Sequence, residues 1–170
     1  MDPEKFVQMV PSDRMTLEFS IWLRDNGFFT APASTKWHGA RDGGLFYHSL
    51  KVMENLSYFT SKFPLHWERE DSPYIVGMFH DLCKIDQYRG TNGNYDWNPA
   101  QMDKGHGDKS VLLLAAHMKL TEEEIACIRF HMGAFTDKEE WGCYTQAVSK
   151  YPNVLWTHTA DMLASHVHGV

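Results

Sequence analysis

Long apolar runs are missing from this sequence: no window approaches the roughly 18 consecutive apolar residues that a membrane-spanning helix needs. Cysteine is scarce, with Cys83, Cys127 and Cys143 far apart, odd in number and without a C-x-x-C pair. That excludes a disulfide framework or a cysteine zinc cluster and suits a reducing compartment. Runs of Lys or Arg are also absent, and the formal net charge is −6. An extended nucleic-acid-binding face needs clustered cations to neutralise phosphates, so none is expected. A small anionic substrate held by a local metal site stays open. The opening MDPEKFVQMV carries acid where a signal peptide would be basic, and no apolar segment follows it. The expectation is a cytoplasmic protein. No repeat, low-complexity tract or dividing linker breaks the 170 residues, which read as a single domain over 1–170.

What the chain has in quantity is histidine, ten residues in all. Histidine is the commonest metal ligand and the usual acid or base near neutral pH, so the elements that carry it matter. Residues 14–26 place Leu17, Ile21 and Trp22 at helical spacing and stop at Gly27. Residues 28–44 have no period and form a loop. A helix is predicted from Leu45 to Lys62, with Leu45, Val52, Leu56 and Phe59 near one face and Pro64 closing it. Ser72-Pro73 opens the next helix, which runs through Tyr74, Ile75, Met78 and Phe79. Residues 87–99 hold an Asn-Gly turn and read as a hairpin. Helices follow over 107–118, with a Leu112–Leu114 core segment, and from the Thr121–Glu124 capping box to about His131. A last helix spans roughly Asn153–His166. The fold class is all-α with one small hairpin.

On these elements His48 lies in the first turn of its helix, His80-Asp81 at a helix end and His106 at a helix start. His131 ends a fourth helix and Asp161 sits within the last. A bundle can project all of them into one central space. Successive helical residues diverge by about 100°, so His80 and Asp81 cannot both face a core directly after the apolar Ile75–Phe79 run. A shared divalent cation satisfies both, and a carboxylate can bridge two ions. Nitrogen and oxygen donors suit Mn, Fe, Ni, Co, Zn or Mg, and spacing does not choose among them.

The order H…HD…H…H…D resembles the HD-domain metal-dependent phosphohydrolase superfamily, an all-helical fold, over roughly residues 34–165. Gly43-Gly44-Leu45-Phe46-Tyr47-His48-Ser49 is similar to that family's GGL-x-x-H-[ST] segment. Phe79-His80-Asp81-Leu82-Cys83-Lys84 is similar to its HDLGK segment, with Cys83 in place of glycine. The wording is nearest to the HD domain of bacterial 3′-to-5′ exoribonucleases, whose separate OB domain has no room here. The resemblance implies His48, His80, Asp81 and Asp161 around a first ion. It implies His106 and His131 around a second, with Asp81 bridging and Lys84 able to contact substrate phosphate. Two features depart from it. No GYP signature follows His106, and Met132 stands where many two-metal members have a further histidine, leaving a second ion to be completed by water or substrate.

The expected function is hydrolysis of a phosphate ester of a nucleotide, or of a short or cyclic oligonucleotide, by metal-activated water. Asp81 would fix the ions and Lys84 would stabilise charge on the transferred group. The alternatives are a catalytically silent, metal-holding regulatory module and an HD-fold di-iron oxygenase. Lesser candidates for substrate contact are His38 and Arg41 in the loop before the first ligand helix, and Arg89 and Lys109, which read foremost as surface. Tyr88, Tyr95 and Trp97 can stack on a base or pack the core. His158, three residues before Asp161, can orient it. His117, His166 and His168 read as surface, and Cys83 as a small buried residue.

Overall fold

The computed structural model describes residues 13–101 and 105–170; the acidic stretch at 1–10 lies outside them. Among the described residues the chain is helical apart from one antiparallel hairpin. The helices are α1 (Leu17–Asp25), α2 (Gly44–Lys62), α3 (Ser72–Phe79), α4 (Gly107–Ala115), α5 (Glu122–Arg129), α6 (Trp141–Lys150) and α7 (Asn153–Met162). A 3₁₀ turn at Leu82–Ile85 follows α3, and a π-helical turn at Leu163–Val167 extends α7. No helix among these residues is long and apolar enough to cross a membrane.

The local signals explain most boundaries. Thr16 caps α1 by accepting the Phe19 N–H, and Pro73 sits in the first turn of α3. Thr121 and Glu124 form the capping box of α5. Strands β1 (Tyr88–Thr91) and β2 (Asn94–Trp97) pair Thr91 with Asn94, leaving Asn92-Gly93 as a two-residue turn. Both turn residues have positive φ, 55° and 82°, the backbone that favours Asn-Gly.

α2 and α3 run against each other in the middle of the core, where Leu45, Val52, Leu56, Ile75, Met78 and Phe79 are fully buried. The approach is close because Gly77 has no side chain: a Cβ there would collide with the Met53 main chain. Gly107 plays the same part between α4 and the end of α5, where a Cβ would collide with the Arg129 carbonyl.

Five expectations are corrected. The buried stripe of α1 is Phe19 and Leu23 with Trp22 partly covered, while Leu17 is 78% and Ile21 41% exposed. Two helical stripes were available, and the aromatic one meets the Phe79 ring, which in turn packs on Phe28. The Leu112–Leu114 run buries only Leu114 fully, because residues one apart point in different directions. The helix there ends at Ala115. α6 was not expected, although Tyr144, Ala147, Val148 and Tyr151 recur at helical spacing and pack, partly buried, against the core. His117 is not bare surface but lies over Phe19 and Trp22, at 4.8 and 4.5 Å between ring centres.

Candidate metal centre

The helix end at His80 builds the centre. α3 stops there, Asp81 leaves helical geometry with φ −105° and ψ 19°, and the following 3₁₀ turn carries Cys83 and Lys84. His48 projects from the second turn of α2, His106 caps α4, His131 follows α5, and Asp161 lies near the end of α7. These six side chains, expected from their order alone, converge. His48, His80 and His131 are fully buried and Asp81 is 2% exposed.

The hydrogen bonds of the rings define which nitrogen faces inward. His48 Nδ1 donates to the main-chain oxygen of Val170 at 2.9 Å, His80 Nδ1 to Gly77 at 2.9 Å and His131 Nδ1 to Ile128 at 2.7 Å. A carbonyl oxygen only accepts, so each Nδ1 carries the proton and each Nε2 is left to the centre. There the three Nε2 atoms stand 3.4–3.5 Å from the Asp81 carboxylate, His48 and His80 toward Oδ2 and His131 toward Oδ1. His48 Nε2 is also 3.2 Å from Asp161 Oδ1 and 3.3 Å from His80 Nε2. His131 Nε2 has no hydrogen-bond partner although it is buried.

Acceptors crowded on acceptors are unfavourable unless a positive charge lies among them. Nitrogen and oxygen ligands about 2.0–2.2 Å from one ion in a tetrahedral site stand roughly 3.3–3.5 Å apart. The spacing matches. The residues therefore fit a divalent ion, and these buried groups could hold one.

Charge accounts for the acid–base state. Burial would raise the Asp81 carboxyl, but Lys84 and His80 beside it hold it well below the usual carboxylate range. Burial would depress His48, yet its bonds to Asp161 and Asp81 lift it to about 9. For His80 burial prevails and the ring stays below its ordinary value. Without an ion, a proton on His48 and the ammonium of Lys84 thus supply the positive charge that the two carboxylates demand.

Beside the centre opens a pocket of about 250 Å³. Asp81, His106, His131 and Asp161 reach it, and Lys84 is the one lysine or arginine among its described lining residues. Lys84 Nζ lies 2.7 Å from Asp81 Oδ2, an ion pair rather than a free group. His38 lines the pocket with its ring 5.1 Å from His48, and burial together with His48 and Lys84 lowers its pKa to about 4.

Other candidates fall elsewhere. Arg41 lies over the Tyr47 ring at 5.4 Å and does not line the pocket. Arg89 sits on β1, exposed, opposite Asp96. Lys109 is buried rather than superficial, and its Nζ is held by Asp86 at 2.5 Å. The turn of α4 after His106 points this side chain to the hairpin base, away from the pocket. His158 lines the pocket, but its Nδ1 donates to the His131 carbonyl at 2.9 Å; it steadies His131 rather than Asp161. Tyr88 lines the pocket, whereas Tyr95 is buried with its hydroxyl on Asp42 and Trp97 packs on Tyr88.

Sequence reasoning missed Trp37, Met132, Phe135 and His166 in the pocket wall. His166, five residues beyond Asp161, is exposed as expected and also edges the pocket. Comparison of the chain with protein-family models, with curated proteins and with solved structures gave no match.

Proposed function

We propose that this chain is an HD-type metal-dependent phosphohydrolase that cleaves a phosphate ester of a nucleotide or short oligonucleotide. The observation that carries the reading is the set of three inward Nε2 atoms and two carboxylates at contact distance, of which His131, Asp81 and Asp161 reach an open pocket while His48 and His80 lie buried behind them. The order of the ligands and the wording around His48 and His80 support the same reading.

His48, His80, Asp81 and Asp161 would hold one ion, and His106 and His131, sharing Asp81, a second. A divalent ion bound there supplies charge that neutralises a phosphate and lowers the pKa of water. The chain's own residues do the rest. Asp81, kept ionised, presents one oxygen to each half of the centre. An ammonium has three N–H donors, of which Asp81 engages one, so Lys84 can donate another to a phosphoryl oxygen in the pocket. His38 and His158 stand in the pocket wall, within reach of an ester bound there. A pocket of this size accepts a phosphoryl group with an adjoining ring, and a single lysine in it suits a short substrate better than a long polyanion.

The test is hydrolysis of bis-p-nitrophenyl phosphate by the full chain with Mn²⁺, with and without chelator, followed by a panel of nucleotides and cyclic dinucleotides. Chelator-sensitive release of nitrophenol is expected. A metal-loaded chain that turns over none of these esters would refute the reading and leave a metal-holding regulatory module.

A further inference from the structure

Cys83 stands two residues after Asp81 in the 3₁₀ turn, buried, with its N–H held at 3.0 Å by the Ser110 hydroxyl. Its Sγ lies 3.6 Å from His106 Nδ1, and sulfur, imidazole nitrogen and an Asp81 oxygen all fall within 4.8 Å of one another. A metal–sulfur bond of about 2.3 Å and a metal–nitrogen bond of about 2.0–2.1 Å in a tetrahedral site put the two ligand atoms about 3.5–3.6 Å apart. The protein contact of the thiol besides His106 is a long one, 3.9 Å to Gln87 Oε1. On the same side of Asp81, His131 Nε2 is buried and unpartnered, 3.4 Å from the Oδ1 atom that also faces His106. Two independent observations therefore flank one Asp81 carboxylate: a thiol at ligand spacing from His106, and the orphaned His131 nitrogen that faces the same Oδ1 atom as His106.

We infer that the His106 side of the centre takes a thiophilic divalent ion, of the Zn²⁺ or Co²⁺ class, with Cys83 Sγ as a ligand beside His106, His131 and Asp81. The inference rests on the proposed metal reading and deepens it, because a thiolate among the donors favours Zn²⁺ or Co²⁺ over the harder Mg²⁺ and Mn²⁺. Ligation breaks the S–H bond, forms the sulfur–metal bond and releases the proton to solvent; nothing is oxidised or reduced. The His48 side keeps its nitrogen and oxygen donors, so the two halves differ in softness.

The experiment is a Co²⁺ titration of the chelator-stripped full chain in a Cys143→Ser background, which removes the exposed thiol. Two equivalents are expected, with an intense near-ultraviolet sulfur-to-cobalt band appearing as the second binds. Cys83→Ser should lose that band and keep the visible bands of the first equivalent. X-ray absorption of the zinc-loaded, unsubstituted chain should show a sulfur shell at about 2.3 Å, which keeps the test decisive if Cys83→Ser does not fold. Cobalt bound without the band, one equivalent or two, overturns the inference while the metal centre stands. A band that survives in Cys83→Ser also overturns it. No cobalt bound at all would overturn both this inference and the metal reading beneath it.

Discussion

Asp81 is the residue around which the others are arranged: both its oxygens face imidazole nitrogens, and Lys84 closes a third side at 2.7 Å. In the order of the sequence the six candidate ligands were legible, because they fall on five separate elements, with His80 and Asp81 sharing one helix end. The direction of each ring was not, since it depends on which carbonyl lies behind it, and three of those carbonyls belong to Gly77, Ile128 and Val170. Cations were read less well. Arg41, Arg89 and Lys109 lie near the ligands in sequence, but a long side chain goes to the nearest ring or carboxylate, which sequence does not reveal. Lys84→Met should retain the metal and lower turnover of bis-p-nitrophenyl phosphate by about 100-fold or more, as removal of one pre-aimed donor does elsewhere. Metal content and kcat measured on one preparation check this; unchanged kcat would remove Lys84 from the reaction.

At the scale of elements, the centre depends on two close helix contacts. Gly77 lets α3 meet α2, which sets His80 against His48, and Gly107 lets α4 meet the end of α5, which sets His106 near His131. Gly77→Ala should push α2 and α3 apart at about 1–3 kcal/mol of stability. It should weaken metal binding although no ligand is touched. Urea denaturation and a metal titration read the two effects, and a variant with native stability and affinity would contradict the packing described.

The capping box of α5 shows where a local signal carried more than it announced. Glu124 accepts the Thr121 N–H as a cap residue, but it also accepts from Arg14 at 2.9 Å and from the Ser72 hydroxyl at 2.8 Å, fully buried. It ties the segment before α1 and the start of α3 to α5. Glu124→Ala should cost about 3–5 kcal/mol, because Arg14 is left buried without its main partner. Chemical unfolding of the variant measures it, and a loss under about 1 kcal/mol, the value of an exposed pair, would contradict the assignment. The helices themselves were legible from caps and spacing; α6, which has no side-chain cap at its start, was missed although Tyr144, Ala147, Val148 and Tyr151 keep a helical period.

Across the whole molecule, a chain with net charge −6 gathers histidines, acids and one lysine at an open pocket, and among the described residues no other lysine or arginine lines it. That balance favours a substrate brought to an ion over one gripped by basic side chains. The central claim is that this cluster is a metal centre organised by Asp81. Equilibrium dialysis of the chelator-stripped chain and of Asp81→Ala against Mn²⁺, followed by metal analysis, tests it most directly. The account predicts at least one ion per wild-type chain and none in the folded variant; a metal-free wild type, or a variant that binds as many ions, would contradict it.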